Sequence, residues 1–573
     1  MSAPSFYDVA ILGGGSAGCV LASRLSEKAG LRVLLVEAGR NLKPGEVPED
    51  IAARYPARAQ FNPNNVWPGL RVSMGRDGNN RAAATVRPYE QARILGGGSA
   101  INGIGGNRGS PDDYAEWVST GASSWSWESV LPYFKKLETD LDFGSDRELH
   151  GDSGPIPVQR VRRSEFAGFI RDAASEFRRL GYEERDDQNG KWETGLFGTA
   201  VNLDRDGKRA STATTYLSAA VRARSNLEIR TDTRVNKLFV ANGTVEGFEI
   251  VAHGRVERIV ANTVVVSAGA LHTPALLQRS GIGPGELLQS LGVTVRVDRR
   301  GVGRNLLEHP SIGVSAFLAP HARLGDGGTY HLQGVLRWSS GLSNTPAGDM
   351  HTAISARSGW HAVGGRIGTL FSWVNKSYSR GEVAIASSDP NVPPSVDFRL
   401  LSDKRDLERL ADAFRLCGAA LTAPGMAQTV LEVFPSTYSE RVKKLLQLNL
   451  RNQVLTSLIA PIMDRSALVR TGVLAMAQDG TSPLAALMND EELLNRHLTK
   501  HVGGVWHPCG TCRMGAATDP LAVTDTDGKV IGLEGLYVCD ASLMPTIPCA
   551  NLNFPVIMMA EKISDVLKQK LAG

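Results

Sequence analysis

Residues 7–39, YDVAILGGGSAGCVLASRLSEKAGLRVLLVEAG, constrain the fold of this chain more than any other stretch. An apolar run from Val9 to Leu12 predicts a buried strand that breaks at Gly13-Gly14-Gly15-Ser16-Ala17-Gly18. An amphipathic helix follows, with Cys19, Val20, Leu21 and Leu25 on one side, and a second apolar run, Val33 to Val36, ends at Glu37. Strand, Gly-rich turn, helix and strand in this order make a βαβ unit with the G-x-G-x-x-G pattern of dinucleotide binding. Gly13 permits the tight turn, Gly15 lets backbone approach a pyrophosphate, and Gly18 lets the helix pack closely on the strand. Ser16 and Ala17 open the helix, whose unpaired N–H groups and positive dipole end suit phosphate. Glu37 lies 19 residues past Gly18, with Ala38 beside it, and is placed to accept hydrogen bonds from a ribose. The unit predicts a dinucleotide ligand and leaves open which one.

At 573 residues the chain is too long for one simple core, so two domains or one elaborated domain is expected. Lys and Arg number 63 against 59 Asp and Glu, a net charge of +4 that is too balanced to argue for nucleic acid or an anionic membrane. Arg160, Arg162 and Arg163 read as the solvated flank of a packed helix carrying Phe166, Phe169, Ile170, Ala173 and Phe177 on one face. No stretch approaches the ~20 apolar residues of a membrane span. The first strand begins almost at once, leaving no room for a signal peptide, so a cytoplasmic location is expected. The six cysteines (19, 417, 509, 512, 539 and 549) read as free thiols rather than a disulfide framework. Cys509 and Cys512 form a C-x-x-C beside His507, but no second ligand pair has suitable spacing, so no metal site is expected.

Residues 40 to 90, rich in Pro, Asn and Arg, read as a long surface excursion. A second Gly-rich turn spans Arg93 to Gly103, and six glycines between 96 and 106 imply backbone lying against something flat or bulky. Residues 227–269 read as hairpin-like strands: LEIRTDTRVNKLFV, a turn at Asn242-Gly243, VEGFEIVAH and the apolar TVVVSAGA. From 311 to about 500 the style changes, with helices expected at Asp403–Leu421 and Glu491–Lys500. The last 70 residues return to the first style, with the strand LEGLYVCDAS and a helix from Val556 to Leu571. The expected division gives 1–155, 201–310 and 501–573 to a cofactor domain, and 156–200 and 311–500 to a substrate domain.

Three further motifs carry a family resemblance: Leu95-Gly96-Gly97-Gly98-Ser99-Ala100-Ile101-Asn102, the run from Gly269 to Gly283 (GALHTPALLQRSGIG), and HPCGTCRMG at 507–515 followed by CDASLMPTIPCANLNFP at 539–555. With these the chain resembles the glucose–methanol–choline (GMC) oxidoreductases, flavoenzymes that oxidise alcohols. The resemblance implies an α/β fold: a Rossmann-like FAD-binding domain interleaved with an α+β substrate domain whose antiparallel sheet is flanked by helices. It implies FAD as cofactor, held without a covalent bond because Ile101 stands where covalently flavinylated relatives carry His. Beyond the first loop, the implied cofactor contacts are Leu95, Gly97, Ser99, Asn102, Gly103, Val235, Ala268, Gly269, Asp540, Ala541, Asn551 and Pro555. The position after Pro555, often Thr in relatives, is Val556.

Oxidising an alcohol removes a hydride from carbon and a proton from oxygen, and the proton needs a base. Histidine suits because its reference pKa lies near neutrality. By resemblance His507 is that base, and Asn551, 44 residues on, is a donor that orients the substrate oxygen. His309, in Leu307-Glu308-His309-Pro310, reads as structural. The His–Asn pair argues against glucose-type relatives, which pair His with His, and against pyridoxine oxidases, which carry Pro at the partner position. VGGVWH (502–507), MPTIP (544–548) and DFRLLSD (397–403) are similar to bacterial hydroxymethylfurfural and aryl-alcohol oxidases of this family. Trp506 beside the base, with Trp373 and Val374 on a substrate-domain strand, suits a flat apolar alcohol. The expectation is a primary benzylic or furanic alcohol, possible onward oxidation of the hydrated aldehyde, and O2 or another acceptor. A dehydrogenase passing electrons to a quinone or dye, and a flavin-containing hydroxynitrile lyase, are the alternative readings.

Overall fold

A computed structural model of the chain describes residues 6–53, 55–75, 86–325, 330–437, 439–478 and 480–571. The opening βαβ unit forms as its sequence dictates: strand Phe6–Leu12, helix Ser16–Leu25 and strand Val33–Val36. The glycines are there for close approach. A Cβ on Gly18 would stand 1.9 Å from the Gly13 carbonyl oxygen, and one on Gly13, whose φ is +114°, would stand 2.4 Å from the Ser267 carbonyl oxygen. Helix and strand therefore meet at a distance that no side chain allows.

This unit seeds a seven-stranded sheet. In order across it run Thr233–Ala241, Thr244–Ala252, Arg255–Val266, Phe6–Leu12, Val33–Val36 and Leu227–Arg230, and Leu536–Val538 also pairs with Arg255–Val266. The long strand Arg255–Val266 serves two partners. Its first half is antiparallel to Thr244–Ala252, and its apolar end, Val264 to Val266, runs parallel to both the first strand and Leu536–Val538. The predicted turn at Asn242-Gly243 is present, with both residues at positive φ (49° and 74°), as a two-residue hairpin turn requires. LEIRTDTRVNKLFV is not one hairpin arm, however. Asp232 sits at φ +52° and splits it into two strands, the first of which pairs parallel with Val33–Val36.

The second sheet is six-stranded and wholly antiparallel among its named pairs: Val430–Pro435, Ser311–Leu318, Ile367–Val374, Met350–Ser355, Leu332–Trp338 and Gly195–Gly198. Helix Lys404–Thr422, capped by Asp403 through its bond to the Arg405 N–H, covers one face. Leu410, Phe414 and Cys417 of that helix enter one core with Val314, Leu370 and Val374. The opposite face is left for a cavity. The surface excursion at 40–90 is more ordered than its composition suggests: Arg71–Gly75 and Val86–Pro88 join a five-stranded sheet beside Ser395–Leu400, and residues 76–85 lie outside the described residues. The six cysteines are all free and buried. Among the described residues no helix is long and apolar enough to cross a membrane.

A buried ionic cluster braces the junction of 106–108 with 138–160. His150 lies 3.0 Å from Asp140, 3.4 Å from Glu138 and 2.8 Å from Asp187, while Arg108 pairs with Glu138 and Arg160 with Asp140 and Asp187. Burial alone would push the His150 imidazolium down, but its bonds to Asp140, Asp187 and Glu138 outweigh that and raise its pKa to about 10. Burial opposes ionisation of Asp187 too, yet His150 and Arg160 hold it at about 2. The His150 contribution to stability is therefore complete below the unfolded imidazole pKa of ~6.5 and is lost as pH rises through about 10. The denaturation midpoint should fall between those values, and it should fall less in His150→Asn; equal pH dependence in the two proteins would contradict the assignment. Asp140→Asn, which removes one partner from buried charges, should cost about 3–5 kcal/mol in urea unfolding.

Candidate active site

One cavity of 1280 Å³ runs from the N-terminus of helix Ser16–Leu25, past His507 and Asn551, to the open face of the antiparallel sheet. His507 is placed by the turn at 504–507, which wraps around the carboxylate of Glu308. That carboxylate accepts the backbone N–H groups of His309 (2.9 Å), Val505 (3.3 Å) and His507 (2.8 Å), and the Tyr89 hydroxyl (2.9 Å). A Cβ on Gly504 would stand 2.7 Å from the same carboxylate, so the wrap needs glycine there. Trp506 takes φ +60°, a region costly for a bulky residue, and its indole N–H is held 3.1 Å from Glu90. Burial raises the Glu308 pKa to about 7 against the pull of those donors.

A chain of hydrogen bonds fixes the protons on His507. His309 Nε2 lies 3.2 Å from the Pro548 carbonyl oxygen, which only accepts, so this nitrogen carries the proton. Burial lowers the His309 pKa to about 3, leaving the ring neutral with a lone pair on Nδ1. His507 Nδ1, 3.0 Å away, therefore donates to it, and the lone pair of His507 falls on Nε2, the nitrogen facing the cavity. The Asn551 amide nitrogen sits 3.3 Å from that Nε2. An alcohol oxygen on the cavity side of both can accept from Asn551 and donate its proton to His507. Burial, and then His309, lower the His507 pKa well below the usual imidazole value, so the basic form is available at neutral pH.

Asn551 is set by its backbone and its neighbours. Its N–H donates to Asn107 Oδ1 at 2.7 Å, and Gly105 leaves room for the amide, since a Cβ there would stand 3.3 Å from Asn551 Oδ1. Asp113 anchors the loop before it, accepting the Cys549 N–H at 2.8 Å and pairing with buried Lys376, which also donates to the Ile547 carbonyl. Glu308, His309 and His507 cluster tightly enough to suggest a metal, but the Glu308 carboxylate already accepts backbone N–H groups and the two rings meet through Nδ1, which leaves His507 Nε2 as the open nitrogen.

Gly13, Gly15, Ser16, Ala17, Glu37, Ala38, Gly97, Asn102, Gly103, Val235, Ala268, Gly269, Asp540 and Ala541 line the cavity as a continuous cradle. Glu37 accepts the Gly14 and Gly39 N–H groups at 2.8 and 2.7 Å, and burial raises its pKa to about 7. Asp540 holds the Gly269 N–H and the Thr273 hydroxyl, tying the last strand to the helix that follows Val266. The cradle fits a dinucleotide. Gly15 caps its helix with no side-chain bond, a Cβ on Gly98 would meet nothing within 4 Å, and His272 turns an unpartnered buried Nε2 toward the same cavity.

Five predicted residues lie behind the wall rather than on it. Gly18 packs helix on strand, and Leu95 fills the core beneath Gly14. Ser99 is spent on the Gly96 carbonyl and Thr212, and Pro555 is buried in the first turn of helix Asn553–Lys570. Val374 is the clear correction: neighbours on a strand face opposite ways, so Trp373 enters the cavity while Val374 enters the core under helix Lys404–Thr422. His309 is the second correction, since it touches the base rather than only shaping a turn. His351 was not apparent from the sequence. It stacks on Trp373, with ring centroids 4.1 Å apart, through a strand pairing (His351 with Trp373) that a linear sequence does not display. Phe197, Val335 and Ala353 complete an apolar patch around Trp373. Cys509 and Cys512 are small buried residues of a tight turn, as expected.

Residues 7–311 match the N-terminal family profile of the GMC oxidoreductases, and residues 377–560 match the C-terminal one. A 5-(hydroxymethyl)furfural oxidase from Methylovorus sp. (strain MP688) is 39% identical over 98% of this chain and 99% of its own length. An oxygen-dependent choline dehydrogenase from Photobacterium profundum is 30% identical, over 98% of this chain and 93% of its own length. Among solved structures, pyridoxine 4-oxidase from Mesorbium loti superposes with a TM-score of 0.80 at 26% identity, covering 98% of this chain and 99% of that one.

His309→Leu removes the acceptor for the His507 Nδ1 proton and frees the ring to take the other tautomer. Steady-state kcat should fall about 10–10²-fold, less than the ~10²–10⁴-fold a general base itself contributes because the ring that takes the proton is still present, while bound flavin stays stoichiometric. In the parent protein the acid limb of the pH–rate profile should lie below 6.5, the ordinary imidazole value. A limb at or above that value, or an unchanged kcat in His309→Leu, would contradict the tautomer chain.

Proposed function

The chain belongs to the GMC oxidoreductase family, and from that premise we propose that it oxidises a primary benzylic or furanic alcohol to the aldehyde with non-covalently held FAD. The observation that carries the reading is the His507 Nε2 lone pair, 3.3 Å from the Asn551 donor, opening onto the aromatic wall of one long cavity. The cradle from Gly13 to Ala17, with Glu37, Val235 and Asp540, would hold the dinucleotide, and Asn102 and Gly103 would stand at its ring end. When bound, FAD supplies the acceptor for the hydride leaving the alcohol carbon.

The remaining work falls to side chains of this protein. Asn551 orients the hydroxyl oxygen, His507 Nε2 takes its proton, and His309 keeps the accepting nitrogen unprotonated until substrate arrives. The neutral state of both rings matters, because an imidazolium at 507 could not accept the substrate proton and one at 309 could not accept the His507 Nδ1–H. Trp373, Phe371 and Val335 offer a flat apolar surface that excludes water and suits an aryl or furan ring. The furfural oxidase relative, similar along nearly its whole length, supports furanic substrates and O2 as final acceptor. Ile101 at the position where covalent relatives carry His supports release of free FAD on denaturation. The same reading assigns 1–155, 201–310 and 501–573 to the cofactor domain, gives 156–200 and 311–500 to the substrate domain, and carries a cytoplasmic location.

Anaerobic mixing with 5-(hydroxymethyl)furfural or benzyl alcohol should bleach the flavin, and His507→Ala should slow bleaching by roughly 10²–10⁴-fold, the usual worth of a general base. A loss under tenfold with flavin still bound would place the base elsewhere. Bleaching by choline but by neither ring alcohol would overturn the substrate class.

A further inference from the structure

The chain's charge is balanced as a whole but not in space. From Glu440 to Gln478 the sequence carries six basic residues (Arg441, Lys443, Lys444, Arg451, Arg465 and Arg470) against two acidic ones (Glu440 and Asp464), and of the basic ones only Arg470 is buried, paired with Glu432. Asp464 is already engaged with Arg323 and Arg366, so its charge is turned inward. The same segment holds helices Leu450–Arg465 and Ala467–Gln478, which pack on one another. Their inner side is satisfied: Ala460, Met463 and Leu474 join Phe317 and Val363 in a small core.

The outer side is not. Leu450, Val454, Leu458 and Ile462 recur every fourth residue, the spacing that places side chains in one row along a helix, and all four are exposed. Leu450 is 74% exposed, Leu458 68%, and Leu468 on the next helix 86%. Single exposed leucines are ordinary, but a row of them marks a contact surface. Leu455, Ile459 and Val473 of the same helices line the catalytic cavity, so the hairpin is its roof as well as a surface.

We infer that this hairpin docks the protein peripherally on an anionic lipid surface, with the row from Leu450 to Ile462 in the headgroup layer and the exposed Arg451 and Arg465 of the same helix reaching the headgroups. An apolar row edged by Arg and Lys is the composition of helices that lie in a membrane interface. Each Lys or Arg near such a surface adds to the attraction, and salt screens it. The charge also decides between lipid and a second copy of this chain, because self-association would press two surfaces of the same sign together. The helix of 16 residues lies along the surface and does not cross it. Docking there sets the roof of the cavity beside the phase in which apolar alcohols concentrate. The inference does not depend on which alcohol is oxidised.

Flavin-loaded full-length protein is sedimented with vesicles of phosphatidylcholine alone or of phosphatidylcholine with phosphatidylglycerol, at low and high salt. The bound fraction should be at least tenfold larger on the anionic vesicles and should fall with salt. Leu458→Asp/Ile462→Asp, at two exposed positions off the cavity wall, should abolish binding and keep the oxidation rate of a small soluble alcohol and the melting temperature. No binding to the anionic vesicles, equal binding to neutral ones, or binding that survives the double substitution would each overturn the inference. So would a dimer in light scattering that the double substitution dissociates, since the row would then be covered by a second copy.

Discussion

The catalytic end of this protein is organised by a buried carboxylate. Glu308 draws the backbone of 505–507 and of His309 around itself because three N–H groups and the Tyr89 hydroxyl have no better acceptor. Burial of such a group is costly unless every oxygen is satisfied, and the converging donors meet that cost. Two histidine rings on separate segments, 198 residues apart in sequence, are thereby brought to 3.0 Å. The proton arrangement on His507 follows from that contact and from the Pro548 carbonyl beyond it.

The same economy recurs on the substrate side. The antiparallel sheet turns one face to helix Lys404–Thr422 and the other to the cavity, and strand Ile367–Val374 alternates between them, with Ile367, Thr369, Phe371 and Trp373 on the cavity side. Trp373 and His351 are paired neighbours on the cavity face and stack, while Ser372 and Val374 belong to the other side. A single apolar string, Phe-Ser-Trp-Val, thus supplies both the wall of the cavity and the packing that holds the sheet in place.

The cofactor end was the most legible part of the sequence, because its chemistry is local. Gly13, Gly15 and Gly18 act within one turn, and Glu37 and Asp540 each end a strand whose apolar run marks it. The pair His507 and Asn551, 3.3 Å apart in the structure, was singled out by resemblance. Their support was not: Asn107 and Asp113 reach the site across long sequence separations, and Glu308 stands in a string, Leu307-Glu308-His309-Pro310, that read only as a structural turn. Val374 failed for a simpler reason, since the string names a strand but not which of its two faces meets the cavity. Charge gave a comparable lesson. The overall balance conceals a segment, 440–478, in which basic residues outnumber acidic ones six to two.

What the sequence determined by itself was the βαβ unit and its dinucleotide cradle, because these depend on steric freedom and periodicity over a few residues; the residues of an alcohol-oxidising site came from the family resemblance. What only the tertiary structure decided was the protonation pattern of His507, the side of the sheet that faces substrate, and the exposure of the row from Leu450 to Ile462. Each of these depends on which distant groups share a space, and hydrogen-bond direction and burial exist only once the chain has closed on itself.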